Sequence, residues 1–199
     1  MTETLLLETY LKQLRLPVFA QHYHKLASEA AQTQLGYESF LLALAEQEVR
    51  QREKNQQVRR IQEARFPILK DLAEFDFSVL PNLNKTLILD LARGSYIAKA
   101  EPILLMGNPG LGKTHVATGL ALAACRQGHK VRFYNAAGLV NDLLQAQDKH
   151  QLPRFLAQAL KQRVIVLDEL GFLPLSPAGA HLMFQFCSAV YERVALIVT

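Results

Sequence analysis

The chain has 199 residues, 50% of them hydrophobic and 20% charged, with a net charge of +4. That length suits one or two domains, and that balance supports a packed core rather than disorder. Two cysteines, Cys125 and Cys187, exclude a disulfide framework and a cysteine-rich zinc site. No apolar run reaches the roughly 18 residues of a spanning helix, and Met1-Thr2-Glu3 does not start a signal peptide. A cytoplasmic protein without a membrane partner is the expectation. The mild basic excess is compatible with nucleic acid without requiring it.

The first hundred residues read as helical. Leu5, Leu6, Tyr10, Leu11 and Leu14 recur at helical spacing until Pro17 interrupts. A second helix is expected over about 18–34. A third is expected over 38–65, because no Gly or Pro breaks it before Phe66-Pro67. Residues 40–45 of this helix are apolar and 46–65 almost wholly polar. Its basic side chains could track nucleic-acid phosphates, or they could pair with interleaved acids at i,i+4, as Glu46–Arg50 and Glu48–Arg52 would. The pattern leaves both open. Phe75-Asp76-Phe77 and Leu80-Pro81-Asn82 read as turns, and 87–96 as a short amphipathic helix. His22 and His24 point to different sides of their helix and do not make a metal site.

The second half alternates. Strands are expected at 103–106, 131–135, 164–168 and 194–198, with helices over 113–127, 136–147, 153–162 and 177–192. Such alternation means βαβ units and a parallel sheet. Gly128 suits the position just past a helix end. Cys125 and Cys187 read as core thiols, and Phe172, Phe184 and Phe186 as core or interface.

One stretch carries chemistry. Gly107-Asn108-Pro109-Gly110-Leu111-Gly112-Lys113-Thr114 fits G-x-x-x-x-G-K-[ST], between an apolar strand and a helix. In such a loop the glycines let backbone N–H groups close on a phosphate. Lys113 would reach the β- and γ-phosphate oxygens, Thr114 would offer a hydroxyl to Mg²⁺, and the helix start adds its dipole. His115 follows the loop and could touch nucleotide, or could simply fill space.

A second stretch agrees with the first. Val164-Ile165-Val166-Leu167-Asp168-Glu169 is an apolar strand closed by two carboxylates, and Asp168 follows Lys113 by 55 positions. Asp168 is placed to hold the Mg²⁺ shell and Glu169 to polarise an attacking water. The candidate catalytic residues are therefore Glu169 and Lys113. The candidate metal-holding residues are Thr114 and Asp168. The candidate nucleotide-binding residues are Gly107 to Thr114, with His115. Phosphate transfer to a small acceptor is a weaker alternative, since adjacent acids suit activation of water.

At these residues the chain resembles the IstB-like ATP-binding proteins, the AAA+ helpers of insertion-sequence transposases and relatives of the DnaC helicase loaders. The phosphate loop through His115 carries the resemblance. So do Val131-Arg132-Phe133-Tyr134-Asn135-Ala136-Ala137 with Leu139 and Leu143-Leu144, Leu167-Asp168-Glu169-Leu170-Gly171-Phe172-Leu173-Pro174-Leu175, Phe184-Gln185 and Tyr191-Glu192-Arg193. It is close over 100–199 and looser before. The resemblance implies an α/β fold, a P-loop NTPase sheet of AAA+ type flanked by helices and preceded by a smaller all-helical domain. Residues 1–70 would form that helical domain, 71–99 a linker with a short helix, and 100–199 the ATPase core.

The resemblance also implies ATP and Mg²⁺ as cofactors, DNA bound without strong sequence preference, a transposase partner and a homo-oligomer. A DnaC-like loader, or a nucleotide-binding module without turnover, remains the alternative. In this class the fourth strand lies between the first and third. The family pattern continues past Thr199 with an Asn-bearing loop, a fifth strand beside the first, a trans-acting Arg and a lid. Without that strand the edge beside the phosphate-loop strand is expected to be exposed.

Overall fold

The run Val164–Asp168 carries four apolar side chains and then a carboxylate, and all five residues are buried. A strand covered on both faces belongs inside a parallel sheet. The computed structural model describes residues 2–80, 83–172 and 175–199. It has four strands among these residues: β1 (Ile103–Leu104), β2 (Val131–Asn135), β3 (Val164–Asp168) and β4 (Ala195–Val198). All pair in parallel, in the order β1-β4-β3-β2. Val131 stands opposite Val164, Val164 opposite Ala195, and Ile103 opposite Ile197. The fourth strand thus lies between the first and third, as expected. Strand β1 is one of the two edges among these strands, and Leu104 on it is 62% exposed. Beside it lies an apolar hollow of about 460 Å³ lined by Leu80, Leu87, Leu91, Leu104, Met106 and Leu111 among others.

Strand side chains alternate between faces, and β3 shows what that does. Val164 and Val166 join Val131, Phe133 and Ile197 beneath helix α6 (Lys113–Arg126), whose Val116, Ala117, Leu120, Ala121 and Ala124 are buried there. Ile165 and Leu167 turn the other way. They meet Leu139 and Leu143 of α7 (Ala136–Asp148) and Leu182 and Phe186 of α9 (Pro177–Val190), with Ala159 of α8 (Leu152–Ala159) in the same cluster. Each fully buried Val, Leu or Ile contributes about 1.5–3 kcal/mol, so two strand residues per face hold a layer on each side. Cys125 is wholly buried, and burial pushes its thiol up to about 11, which leaves it an inert core residue. Phe186 is likewise core, but Phe184 is exposed.

The segment before the sheet packs onto it. Leu72, Ile88, Tyr96 and Ile97 are buried in the same cluster as α6. The helix expected over 87–96 is two helices, α4 (Lys85–Leu91) and α5 (Ser95–Ala98). Gly94 lies between them at φ +84°, a left-handed conformation from which the second helix starts. Pro81 and Asn82 of the expected turn lie outside the described residues.

The chain divides into two compact units, Met1–Val58 and Arg59–Thr199. The first holds α1 (Thr2–Gln13), α2 (Pro17–Gln32) and most of α3 (Tyr37–Ala64). Helix α3 is a single uninterrupted helix, as expected, and stops at Arg65, whose φ is +58°. Helix α2 has no side-chain cap of its own. The Glu48 carboxylate on α3, only 4% exposed, supplies one by accepting from the Val18 N–H at 3.0 Å. Arg52 holds that carboxylate at 2.7 Å and also donates to the Arg15 carbonyl. The basic run on α3 is largely paired at i,i+4: Arg50 with Glu46, Arg52 with Glu48, and Arg59 with Glu63. No helix of the described residues is long and apolar enough to cross a membrane.

Two predictions follow from the packing against α6. A Cβ on Gly119 would stand 2.6 Å from Leu72 Cγ and 3.1 Å from its backbone N. Overpacking costs about 1–3 kcal/mol, against about 1 kcal/mol gained from alanine's helix propensity. Gly119→Ala should therefore lower the thermal midpoint by a few degrees; a rise would show that Leu72 yields freely. Asp71 accepts from the Ala73 N–H at 3.1 Å and pairs with Arg126 at 2.5 Å. The backbone bond first, and then Arg126, hold its carboxyl below the ordinary 3.8. Its stabilisation is therefore complete above that value and lost as pH falls through the depressed one. Acid titration of Asp71→Asn, followed by circular dichroism, should show less loss of stability below about pH 4 than the parent chain.

Candidate functional site

The C-terminal ends of parallel strands are where open α/β sheets bind ligands. In this chain those ends carry the phosphate loop after β1, Asn135 as the last residue of β2, Asp168 as the last residue of β3 with Glu169 next, and Thr199 after β4. The loop enters α6 through Gly112, whose φ is +76°. Glycine is needed there twice over, because an added Cβ would also lie 2.7 Å from the Phe75 ring. Gly110 takes a left-handed conformation too, at φ +84°. The Lys113 ammonium donates to the Gly107 and Asn108 carbonyls at 2.8 and 2.9 Å, which holds its charge across the loop. A phosphate oxygen is a stronger acceptor than a neutral carbonyl, so this ammonium is placed to exchange partners.

A cleft of about 370 Å³ opens here, lined by Lys70, Pro109, Gly110, Gly112, Lys113, Thr114, His115, Glu169 and Thr199. Gly107 and Asn108 serve it through their carbonyls to Lys113. Leu111 instead lines the apolar hollow beside β1. The His115 imidazole turns to the segment before the sheet. Its Nε2 donates to the Asp71 carbonyl at 2.7 Å, and its ring meets Phe75 edge to face at 5.1 Å.

Asp168 is 5% exposed, and a buried carboxylate is costly unless hydrogen-bonded. Two hydroxyls satisfy it, Thr114 Oγ1 at 2.9 Å and Thr199 Oγ1 at 2.5 Å, both donating to Oδ1. A hydroxyl and a carboxylate in contact at a phosphate-binding loop are hard oxygen donors. That set fits a Mg²⁺ ion, which takes one or two protein oxygens beside phosphate and water.

Glu169 sits in a left-handed backbone conformation, φ +63°, a position costly for a residue with a side chain and characteristic of functional sites. It is held there from β4. Its N–H donates to Thr199 Oγ1 at 2.9 Å, and the next N–H, of Leu170, donates to the Thr199 carbonyl at 3.0 Å. The carboxylate accepts from Asn135 Nδ2 at 2.6 Å. Asn135 Oδ1 meanwhile caps α7 by accepting from Ala137 N and Gly138 N at 3.1 and 3.4 Å. Both ends of one amide are thus used, and the cap fixes which end faces Glu169.

The structure therefore brings Lys113, Thr114 and Glu169 to one cleft, with Asp168 buried behind it on the Thr114 hydroxyl. Asn135 and Thr199 were not singled out as site residues by sequence reasoning. The signal was present, since Asn135 is in register with Asp168, and Thr199 follows Val198, the partner of Leu167. Applying the strand-end rule to β2 and β4 as well as β3 would have found them. Leu173 and Pro174 of the Leu167 to Leu175 stretch lie outside the described residues.

Known proteins are similar to this chain. The family model described as IstB-like ATP binding protein matches residues 9–199. The "Insertion sequence IS21 putative ATP-binding protein" of Pseudomonas aeruginosa is 34% identical over 193 residues, covering 97% of this chain and 73% of that protein. The crystal structure of the DnaC helicase loader aligns with a TM-score of 0.52 and 25% identity, over 57% of this chain and 66% of that one. AMPPCP-bound DnaA from Aquifex aeolicus aligns with a TM-score of 0.57 and 18% identity, over 67% of this chain and 42% of that one, a likeness of fold. The chain thus spans less than two thirds of these two solved chains.

Separate variants test the double use of Asn135. Asn135→Ala loses the α7 cap and should cost about 1 kcal/mol in chemical denaturation. Asn135→Asp keeps a capping oxygen and places a second carboxylate against Glu169. If the amide's role is only to cap, Asn135→Asp will match the parent in stability and in nucleotide turnover alike. The geometry predicts near-parent stability with altered turnover.

Proposed function

The chain belongs to the IstB-like ATP binding protein family, and from that premise we propose that it is an AAA+ ATPase that assists a transposase in moving an insertion sequence. It binds ATP with Mg²⁺, hydrolyses it, engages DNA without strong sequence preference and works in the cytoplasm as a homo-oligomer. One observation carries the chemical part: the Thr114 hydroxyl of the phosphate loop lies 2.9 Å from the buried Asp168 carboxylate, beside Lys113 and Glu169 in one cleft. The insertion-sequence part rests on the Pseudomonas aeruginosa relative and its coverage of this chain.

In this reading Gly107 to Thr114 wrap the phosphates, with Gly110 and Gly112 supplying the left-handed turns, and Lys113 balances their charge. Thr114 and Asp168 would hold Mg²⁺, which when bound draws charge from the phosphate oxygens. Glu169 orients a water in line with the γ-phosphate. Asn135 and Thr199 hold Glu169, one at its carboxylate and the other at its backbone. His115 lines the cleft, and its imidazole fixes the Asp71–Phe75 segment against the loop.

The likeness to the DnaC helicase loader favours a second reading, a loader of a replicative helicase. The two readings share the ATP site and differ in partner. Co-purification with a transposase or with a helicase separates them.

The test of the ATP site uses two variants. Lys113→Ala should abolish saturable binding of a fluorescent ATP analogue. Glu169→Gln should keep that binding and reduce phosphate release by about a hundredfold or more, as loss of a general base does. Turnover unchanged in Glu169→Gln would remove Glu169 from the chemistry. Binding without turnover in the parent chain, with or without duplex DNA, would leave a nucleotide-binding module.

A further inference from the structure

The opposite edge of the sheet has chemistry of its own. Lys130 and Arg163 immediately precede β2 and β3, and the Arg163 N–H donates to the Lys130 carbonyl at 2.8 Å, so the two residues are neighbours. A hollow of about 310 Å³ lies there, lined by Arg60, Lys130, Lys161, Gln158 and Gln162, with Glu63. The one carboxylate is engaged, because Arg59 holds it at 2.7 Å. Among the described residues, Arg60, Lys130, Lys161 and Arg163 make no ion pair. Arg132, on β2, donates to the Glu63 carbonyl at 3.1 Å, and its Nε is buried without a hydrogen-bond partner. Burial first, and then Arg163 and Arg60, hold the adjacent His129 imidazole below its ordinary value.

We propose that this edge, centred on Arg60, Lys130, Lys161 and Arg163, is a docking surface for the phosphate backbone of duplex DNA. Three features favour that partner. Unpaired Lys and Arg supply the sequence-independent attraction of backbone binding. Gln158 and Gln162 add neutral donors of the kind that position phosphate oxygens. The hollow offers no exposed aromatic or large apolar anchor, which a protein interface would use for its energy. Arg60 differs from its neighbours on α3, since Arg50, Arg52 and Arg59 have carboxylate partners, whereas Arg60 donates to the Cys125 carbonyl. The surface lies at the N-terminal ends of β2 and β3, and the carboxylate pair at the other end of β3. DNA and nucleotide would thus bind at opposite ends of the same two strands.

The inference rests on the reading that the chain engages DNA, and the experiment separates the two. Fluorescence anisotropy would measure binding of labelled duplexes of unrelated sequence to the full chain between 50 and 200 mM salt, with Mg-ATP held constant. The double variant Lys130→Ala/Lys161→Ala should weaken every duplex alike, roughly tenfold near 0.1 M salt, and lower the slope of log affinity against log salt by about 2. Its binding of a fluorescent ATP analogue should match the parent, which excludes misfolding as the cause. Lys161→Glu should weaken binding further than Lys161→Ala. A parent chain that binds duplex while the double variant binds equally, with the same slope, overturns the surface and leaves DNA binding standing. A parent chain that binds no duplex overturns both, and binding to vesicles of anionic phospholipid in its place would assign the surface to membrane.

Discussion

The structure depends on keeping the Asp168 carboxylate buried and satisfied. A carboxylate 5% exposed at the end of an otherwise apolar strand is tolerable only with hydrogen bonds. Those bonds come from Thr114 on the phosphate-loop helix and Thr199 after the neighbouring strand. Meeting one polar requirement therefore fixes three elements together: α6 against β3, and β3 against β4. The same Thr199 holds the backbone of Glu169 in its left-handed conformation. The geometry of the site is thus a by-product of removing one charge-bearing group from water.

The apolar layers do the complementary work. Because β3 divides Val164 and Val166 from Ile165 and Leu167, each face receives its own helices. Helix α6 is rich in alanine, and Gly119 within it and Gly112 before it let the Leu72–Phe75 segment come close. Residues that read as a connection between domains are in this way part of the wall behind the phosphate loop. His115 belongs to that contact: a residue next to a binding motif here spends its hydrogen bond on the Asp71 backbone.

Much was legible in the chain. The phosphate loop, the acid pair and the alternation of strands and helices are local patterns, each set by spacing along a few residues. They gave the candidates Lys113, Thr114, Asp168 and Glu169, the parallel sheet and one long helix over 38–65, which the structure places at Tyr37–Ala64. The helix over 87–96 was misread because Gly94 breaks it, and an isolated glycine does not by itself reveal whether it will adopt a positive φ. The pairs Glu46–Arg50 and Glu48–Arg52 were readable from spacing. That Glu48 would also cap α2 from thirty residues away was not, because capping partners are ordinarily sought next to the helix end.

The sequence by itself determined the class of fold and the chemical groups at its site, because hydrophobic period and motif spacing act over short stretches of chain. Tertiary structure alone decided which distant groups meet. It brought Asn135 to Glu169, Thr199 to Asp168, Phe75 to Gly112, and Arg60 to the edge that bears Lys130. Each of these meetings is fixed by parallel strand register and helix packing. Those depend on long-range burial, and spacing along the chain does not encode them.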